Sequence, residues 1–212
     1  MSDDDAHGEG LAARASADPA DVSAMYDDWA PTQYDDDLAA WGYDAPERVA
    51  TVLAALAPEG PILDAGCGTG LVGVELHERG VGPLVGGDFS SASVETARAR
   101  GVYAEVVDLD LNAPLPFADA QFRAAVSVGV FSYLVDAEAT INELLRVVVP
   151  GGALIFTQRS DLWDERGFAD LLERLADEDR CDVSYSEPQP YLPQHPEFGR
   201  QIGIRYATLI RC

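Results

Sequence analysis

The spacing of apolar residues changes at Gly60. Before it, from Val22 to Ala57, aromatic residues punctuate two helical stretches. The second is opened by Asp44 with Pro46 in its first turn, and Val49, Val52, Leu53 and Leu56 recur at the spacing that gathers side chains on one helix face. After Gly60, short apolar runs alternate with helix-spaced segments, the pattern of β-α units that build a parallel sheet. The runs Pro61–Asp64, Pro83–Asp88, Tyr103–Asp108, Phe122–Val130 and Ala153–Thr157 read as strands. Helices are expected over about Leu71–Arg79, stopped by Gly80; from a cap at Ser90 or Ser91 to Gly101; from a cap at Asp136 through Ile141, Leu144, Leu145 and Val148; and over about Asp161–Ala176. Pro150-Gly151-Gly152 reads as the turn into the fifth strand. Two final runs, Val183–Ser186 and Gln201–Ile210, are joined by a proline-rich loop that leaves no room for a crossover helix, so they must pair antiparallel. The expectation is a seven-stranded α/β sheet, mostly parallel with an antiparallel edge strand.

A chain of 212 residues has the length of one domain around one core. Residues 1–21 mix Asp, Ala, Gly and Ser without period and read as an acidic flexible tail. The domain proper is expected over 22–212, with a helical lid at 22–57, a central core at 58–158 and the last helix and antiparallel strands at 159–212.

Charge changes the picture of partners. Asp and Glu number 37 against 14 basic residues, every one of them Arg, for a net charge of -23. Such a surface repels a phosphate backbone, so a nucleic-acid partner is not expected. The acidity suits a high-salt medium, where self-repulsion is screened; a GC-rich genome favouring Arg, Ala, Asp and Glu is the alternative origin. No apolar run is long enough to span a membrane and the acidic N-terminus lacks secretory features, which makes a cytoplasmic location and no membrane partner the default. Three scattered cysteines, Cys67, Cys181 and Cys212, have neither disulfide nor zinc-ligand spacing, and no metal is expected.

The chemistry concentrates at strand ends. ILDAGCGTG, Ile62 to Gly70, carries a buried strand through an acid, Asp64, into a loop of Gly66, Gly68 and Gly70 and then a helix. Glycines there let main-chain amides approach a ligand at the carboxyl end of the sheet, where open α/β sheets bind ligands. Asp88 ends the second strand in GGDFS, the place for a carboxylate that accepts ribose hydroxyls, with Phe89 beside it to cover an adenine. Asp108 ends the third strand in VVDLDL, positioned to accept a hydrogen bond from an adenine amino group; Asp110 reads as a polar terminus.

Together these segments resemble the class I S-adenosylmethionine-dependent methyltransferases over about Tyr26–Thr157: ILDAGCGTG, GGDFS, VVDLDL with PLPF at Pro114–Phe117, and LLRVVVPGGALIF follow in the family's order. The resemblance implies a Rossmann-like doubly wound sheet and S-adenosylmethionine as cofactor. It places Gly66, Cys67 and Gly68 against the methionine and ribose, Asp88 and Phe89 against the ribose and adenine, Asp108 and Leu109 against the adenine, and Ser127 and Gly129 near the transferable methyl group. Asp64 and Gly70 belong to the same first motif. Tyr26 to Val49 resembles the Williams-Beuren-type methyltransferase-like group, whose N-terminal helices lid the cofactor, and this brings Tyr26 and Tyr34 to the methionine end. Two departures stand out: the spacing from Trp29 to Tyr34 is one residue longer than in that group, and Arg123 stands where the family usually has Asp.

The implied chemistry is in-line displacement of a methyl group by a small-molecule acceptor, in which alignment matters more than proton transfer. His195 in PYLPQHPEF is the candidate general base, and the aromatic residues Tyr185, Tyr191, Phe198 and Tyr206 are candidates to wall an acceptor pocket. No NPPY-like or Pro-Cys marker of base methylation is present. A nicotinamide-dependent oxidoreductase would share the loop and Asp88 but ordinarily needs a catalytic Tyr-x-x-x-Lys, and the chain has no Lys. The remaining alternative is a non-catalytic S-adenosylmethionine-binding or partner-subunit protein of the same fold. Oligomeric state is left open.

Overall fold

The computed structural model describes residues 31–56, 58–196, 199 and 202–212. The acidic tail, Tyr26, Trp29 and Phe198 lie outside them. Helices α1 (Pro31–Ala40) and α2 (Ala45–Ala55) precede a central unit of β1 (Ile62–Ala65), α3 (Leu71–Glu78), β2 (Leu84–Asp88), α4 (Ser91–Arg100), β3 (Glu105–Asp108) and β4 (Phe122–Ser127). A 3-10 turn over Phe131–Tyr133 leads to α5 (Ala137–Val147) and β5 (Val148–Arg159). Then come α6 (Ser160–Glu165), α7 (Phe168–Asp177), β6 (Cys181–Tyr185), β7 (Gln189–Pro190) and β8 (Gly203–Arg211).

Among the described residues the sheet has eight strands, in the order β3-β2-β1-β4-β5-β8-β6, with the two-residue β7 pairing β8. Strands β1 to β5 pair in parallel, whereas β8 is antiparallel to both of its main neighbours. The antiparallel strand therefore stands one place in from the edge, and β6 forms the edge. β7 had no signal in the sequence, because a two-residue bridge inside a proline-rich loop has no period to read.

Both faces of the central strands are covered, which explains their nearly continuous apolar character. Ile62, Ala124 and Ile155 face α2 and α3 through Val49, Leu53, Val72 and Leu76. Their neighbours Leu63, Ala125 and Leu154 face α5 and α7 through Ile141, Leu144, Leu171 and Leu172. Phe131 and Phe156 stack within this second layer with ring centroids 4.3 Å apart.

Caps set the helix starts. Ser90 accepts from the Ser93 amide at 3.2 Å and Asp136 from the Ala139 amide at 2.9 Å. Asp44 stands at the N-cap of α2 without a capping bond and instead accepts from Arg48 at 2.7 Å. Two boundaries differ from the sequence expectation. The helix expected over Asp161–Ala176 is two helices, because Gly167 adopts φ 64° between α6 and α7. Pro150-Gly151-Gly152 is absorbed into β5 rather than preceding it, at a register shift opposite Phe122 and Ala124, because the loop is taken up as an irregular start to the strand.

Chain order reverses between β1 and β4, so a crevice opens at the carboxyl ends of the strands there. Among the described residues no helix is long and apolar enough to cross a membrane.

Candidate active site

The loop after β1 occupies that crevice. Gly66 and Cys67 donate their amides to the Gly87 carbonyl at 2.7 and 3.0 Å, stitching the loop to the end of β2. Gly66 has φ +78°, and a Cβ there would stand 2.4 Å from Val130 Cγ2. A Cβ on Gly68 would meet nothing within 4 Å, so the loop backbone at that residue opens directly onto the cavity. The Asp88 carboxylate at the end of β2 accepts from the Gly68 amide at 2.8 Å and from the Ser90 amide at 2.9 Å. Asp88 thus fixes both the loop and the start of α4 while forming part of the cavity wall.

Beneath the loop, Asp64 is fully buried and accepts a 2.6 Å hydrogen bond from the Tyr103 hydroxyl; its second oxygen has no hydrogen-bond partner. Burial pushes its carboxyl up to about 7 against the lowering effect of that bond, with Asp88 adding to the rise. The Cys67 thiol is likewise pushed up, first by burial and then by Asp64 and Asp88, so Cys67 lines the cavity as a thiol.

The cavity, about 370 Å³, runs from this loop to a wall of tyrosines. Tyr34 comes from α1, Tyr43 from the α1–α2 connection, Tyr133 from the 3-10 turn and Tyr191 from the proline-rich loop. Tyr43 and Tyr191 meet edge to face with centroids 5.7 Å apart. The Tyr43 hydroxyl lies 3.3 Å from where a Cβ on Gly129 would stand. Burial, and after it the neighbouring phenols Tyr191 and Tyr34, push the Tyr43 phenol well above its ordinary value; Tyr191 rises for the same first reason. Helix α1 is pinned to the glycine loop. Asp35 accepts from Thr69 Oγ1 at 2.6 Å and pairs with Arg100, whose guanidinium also donates to the Thr69 carbonyl.

Of the residues expected at the site, Tyr34, Gly66, Cys67, Gly68, Asp88, Phe89, Leu109 and Gly129 all line this cavity. Tyr26 lies outside the described residues. Asp64 and Gly70 do not line it, Asp64 acting from below and Gly70 from the N-cap of α3. Ser127 is buried and donates to the Ala65 carbonyl at 2.8 Å, joining β4 to β1 rather than facing the cavity. Asp108 is exposed and off the wall, because alternation turns it away from its neighbour Leu109, which lines the cavity. Asp110, read from sequence as a mere terminus, lines the cavity instead. His195 is buried against Trp41, centroids 4.6 Å apart, and is not among the lining residues. Of the other aromatic residues expected near the acceptor, Tyr185 packs on Trp163 and Tyr206 on the α2 layer, leaving Tyr191 on the wall. Asp35 and Arg100 carry no motif, since they meet only through the fold, and Tyr133 reaches the wall from the 3-10 turn. Among the described residues no group of His, Cys, Asp and Glu could hold a metal ion.

A nucleoside cofactor fits these residues: the cradle at Gly68 is open, a carboxylate stands beside it, and the exposed ring of Phe89 flanks Asp88. Comparison with known proteins agrees. A family described as a methyltransferase domain matches residues 62–152. Human methyltransferase-like protein 27 is 37% identical over 77% of this chain and 69% of its own length. Human probable tRNA methyltransferase 9B is 36% identical over 63% of this chain, which spans only 28% of that protein. Among solved structures, a TehB-like methyltransferase from Corynebacterium glutamicum ATCC 13032 Kitasato, described as dependent on S-adenosylmethionine, superposes with a TM-score of 0.62 at 25% identity, covering 85% of this chain and 96% of that one. With the glycine loop, Asp88 and the switch-point cavity in place, the chain belongs to the class I S-adenosylmethionine-dependent methyltransferases.

Proposed function

We propose that this methyltransferase acts on a small-molecule acceptor seated between the cofactor and the tyrosine wall. The observation that carries this reading is the cavity itself: the glycine loop and Asp88 occupy one end, and four tyrosines from four separate segments close in on the other. The room beyond a bound nucleoside suits a compact acceptor. Gly66, Cys67 and Gly68 would hold the cofactor's methionine and ribose, Asp88 its ribose hydroxyls, and Phe89, Leu109 and Asp110 its adenine. Bound there, S-adenosylmethionine supplies a sulfonium-borne methyl group whose departure leaves the electron pair on sulfur and needs no proton.

The chain's own residues do the positioning. The Asp35–Arg100–Thr69 contacts hold α1, and with it Tyr34, against the loop. The Tyr43 and Tyr191 phenols stay protonated, so they orient an acceptor as neutral hydrogen-bonding groups rather than as bases. Holding the reacting atoms in line is the main contribution such a site makes, worth up to about 7–11 kcal/mol in the best intramolecular cases.

A nucleic-acid acceptor is the second reading, favoured by the tRNA methyltransferase name of one relative. The net charge of -23 opposes it. Incubation with methyl-tritiated S-adenosylmethionine separates the two, using total tRNA in one arm and a low-mass cell extract in the other. Label in the low-mass fraction alone supports the proposal, and label in tRNA overturns it.

A further inference from the structure

We propose that the acceptor is a small amine, recognised as its ammonium ion at the tyrosine-walled end of the cavity and methylated after it gives one proton to solvent, so that the freed nitrogen lone pair forms the N–C bond as the C–S bond breaks onto sulfur; this rests on the small-molecule reading above. Two observations carry it. The first is the charge of the wall. Among the described residues lining the cavity, the ionisable groups that carry charge are Asp88 and Asp110, and none is Arg, Lys or His. Three arginines nearby are matched by acids, and Arg166 donates to the Phe131, Ser132 and Leu134 carbonyls. Arg100 pairs with Asp35 on the outer side of the loop, Arg159 forks onto Asp161 behind Tyr191 at 3.1 and 2.6 Å, and Arg48 pairs with Asp44. The sequence of the lid adds no counter-charge, since no basic residue stands between Ala15 and Glu47 while aspartates recur throughout. A carboxylate or phosphate on an acceptor seated against the tyrosines would lose its hydration without gaining a cationic partner from the wall.

The second observation is aromatic. Tyr34, Tyr43, Tyr133 and Tyr191 converge on one end, with Tyr43 and Tyr191 perpendicular at 88°. Two rings at right angles form a corner of the kind that holds an alkylammonium against π-faces, and the phenol oxygens accept its N–H groups. Burial first, and neighbouring phenols after it, keep the Tyr43 and Tyr191 hydroxyls neutral. A neutral alcohol of the same size would use the hydrophobic walls but gain nothing from the ring faces or from the negative field that gathers cations in an acidic cleft. Charge exclusion and aromatic geometry thus select the same ligand class independently.

The test is calorimetric and needs no turnover. The protein is first saturated with S-adenosylhomocysteine, which occupies the cofactor end without a sulfonium charge, and then titrated with 2-phenylethylamine, 3-phenylpropanol and 3-phenylpropionate. The amine is expected to bind roughly tenfold or more tightly than the acid, with the alcohol between them. Tyr191→Leu should reduce the preference several-fold, leaving the part that charge exclusion supplies, and Tyr191→Phe, which keeps the ring face, should largely retain it. Equal affinities, tighter binding of the acid, or binding of none of the three overturns the proposal. Failure of S-adenosylhomocysteine to bind in the first step is a separate result, and it removes the methyltransferase reading instead.

Discussion

The two ends of the cavity are built by opposite strategies. The cofactor end is made of neighbours: Gly66, Cys67 and Gly68 are consecutive, and Asp88 reaches them from the adjacent strand through a backbone amide. Its working groups are mostly main-chain, so its requirement is the absence of side chains at fixed dihedrals. The acceptor end is made of strangers. Four tyrosines arrive from α1, the α1–α2 connection, the 3-10 turn and the proline-rich loop, and each contributes a side chain whose position depends on tertiary packing. One end is rigid because the backbone is stitched to the sheet; the other can be exchanged ring by ring. A shared cofactor with variable acceptors asks for that division.

If the division holds, substitutions at the cofactor end disturb stability and binding together, while those at the acceptor end alter selectivity alone. The largest effect is expected beneath the loop. The folded protein binds the Asp64 proton more tightly than the unfolded chain does, since burial raises its carboxyl to about 7. The stabilisation this gives is complete below about pH 4 and is lost as the pH rises through about 7, a span worth about 4 kcal/mol. Asp64→Asn, which keeps an acceptor for the Tyr103 hydroxyl and cannot ionise, should therefore gain on the native protein by roughly 5–10 °C more in melting temperature at pH 8 than at pH 5. A pH-independent difference would contradict the assignment. Next comes Gly66→Ala, whose Cβ would stand 2.4 Å from Val130 Cγ2 at φ +78°. It should cost about 2–3 kcal/mol in chemical denaturation and abolish calorimetric binding of S-adenosylhomocysteine.

Smaller effects belong to the joint between the ends and to the acceptor wall. Asp35→Asn removes the ion pair with Arg100 and should weaken S-adenosylmethionine binding by about tenfold, an effect that shrinks in molar KCl because the pair is partly exposed. Tyr43→Phe should leave cofactor affinity within about twofold, since it removes one hydroxyl and keeps the ring on the wall. A large loss of cofactor affinity there would join the two ends into one unit and break the comparison.

The same contrast governs what the sequence shows. ILDAGCGTG and GGDFS are local, so the loop, Asp88, Phe89 and the strands that lead into them are visible as spacing. Where a feature depends on where a strand stops, the spacing runs out: Asp108 and Asp110 are two residues apart in VVDLDL and would share a face of a continuous strand, yet β3 ends at Asp108 and only Asp110, in the loop beyond it, reaches the wall. The split at Gly167 is hidden for another reason, since one glycine within an amphipathic pattern leaves the period on either side intact. The Asp35–Thr69–Arg100 contact and the convergence of the tyrosines join residues far apart in the chain and carry no periodic signal at all. His195 was conspicuous as a lone histidine between prolines, but its ring is spent on packing with Trp41.

The most direct test of the central claim, a cofactor end built on the glycine loop and Asp88, is calorimetric titration of the native protein and Asp88→Ala with S-adenosylmethionine and S-adenosylhomocysteine. Micromolar binding of both ligands to the native protein, lost in the variant, is the predicted result. Equal binding by the variant, or no binding by the native protein, would contradict the account.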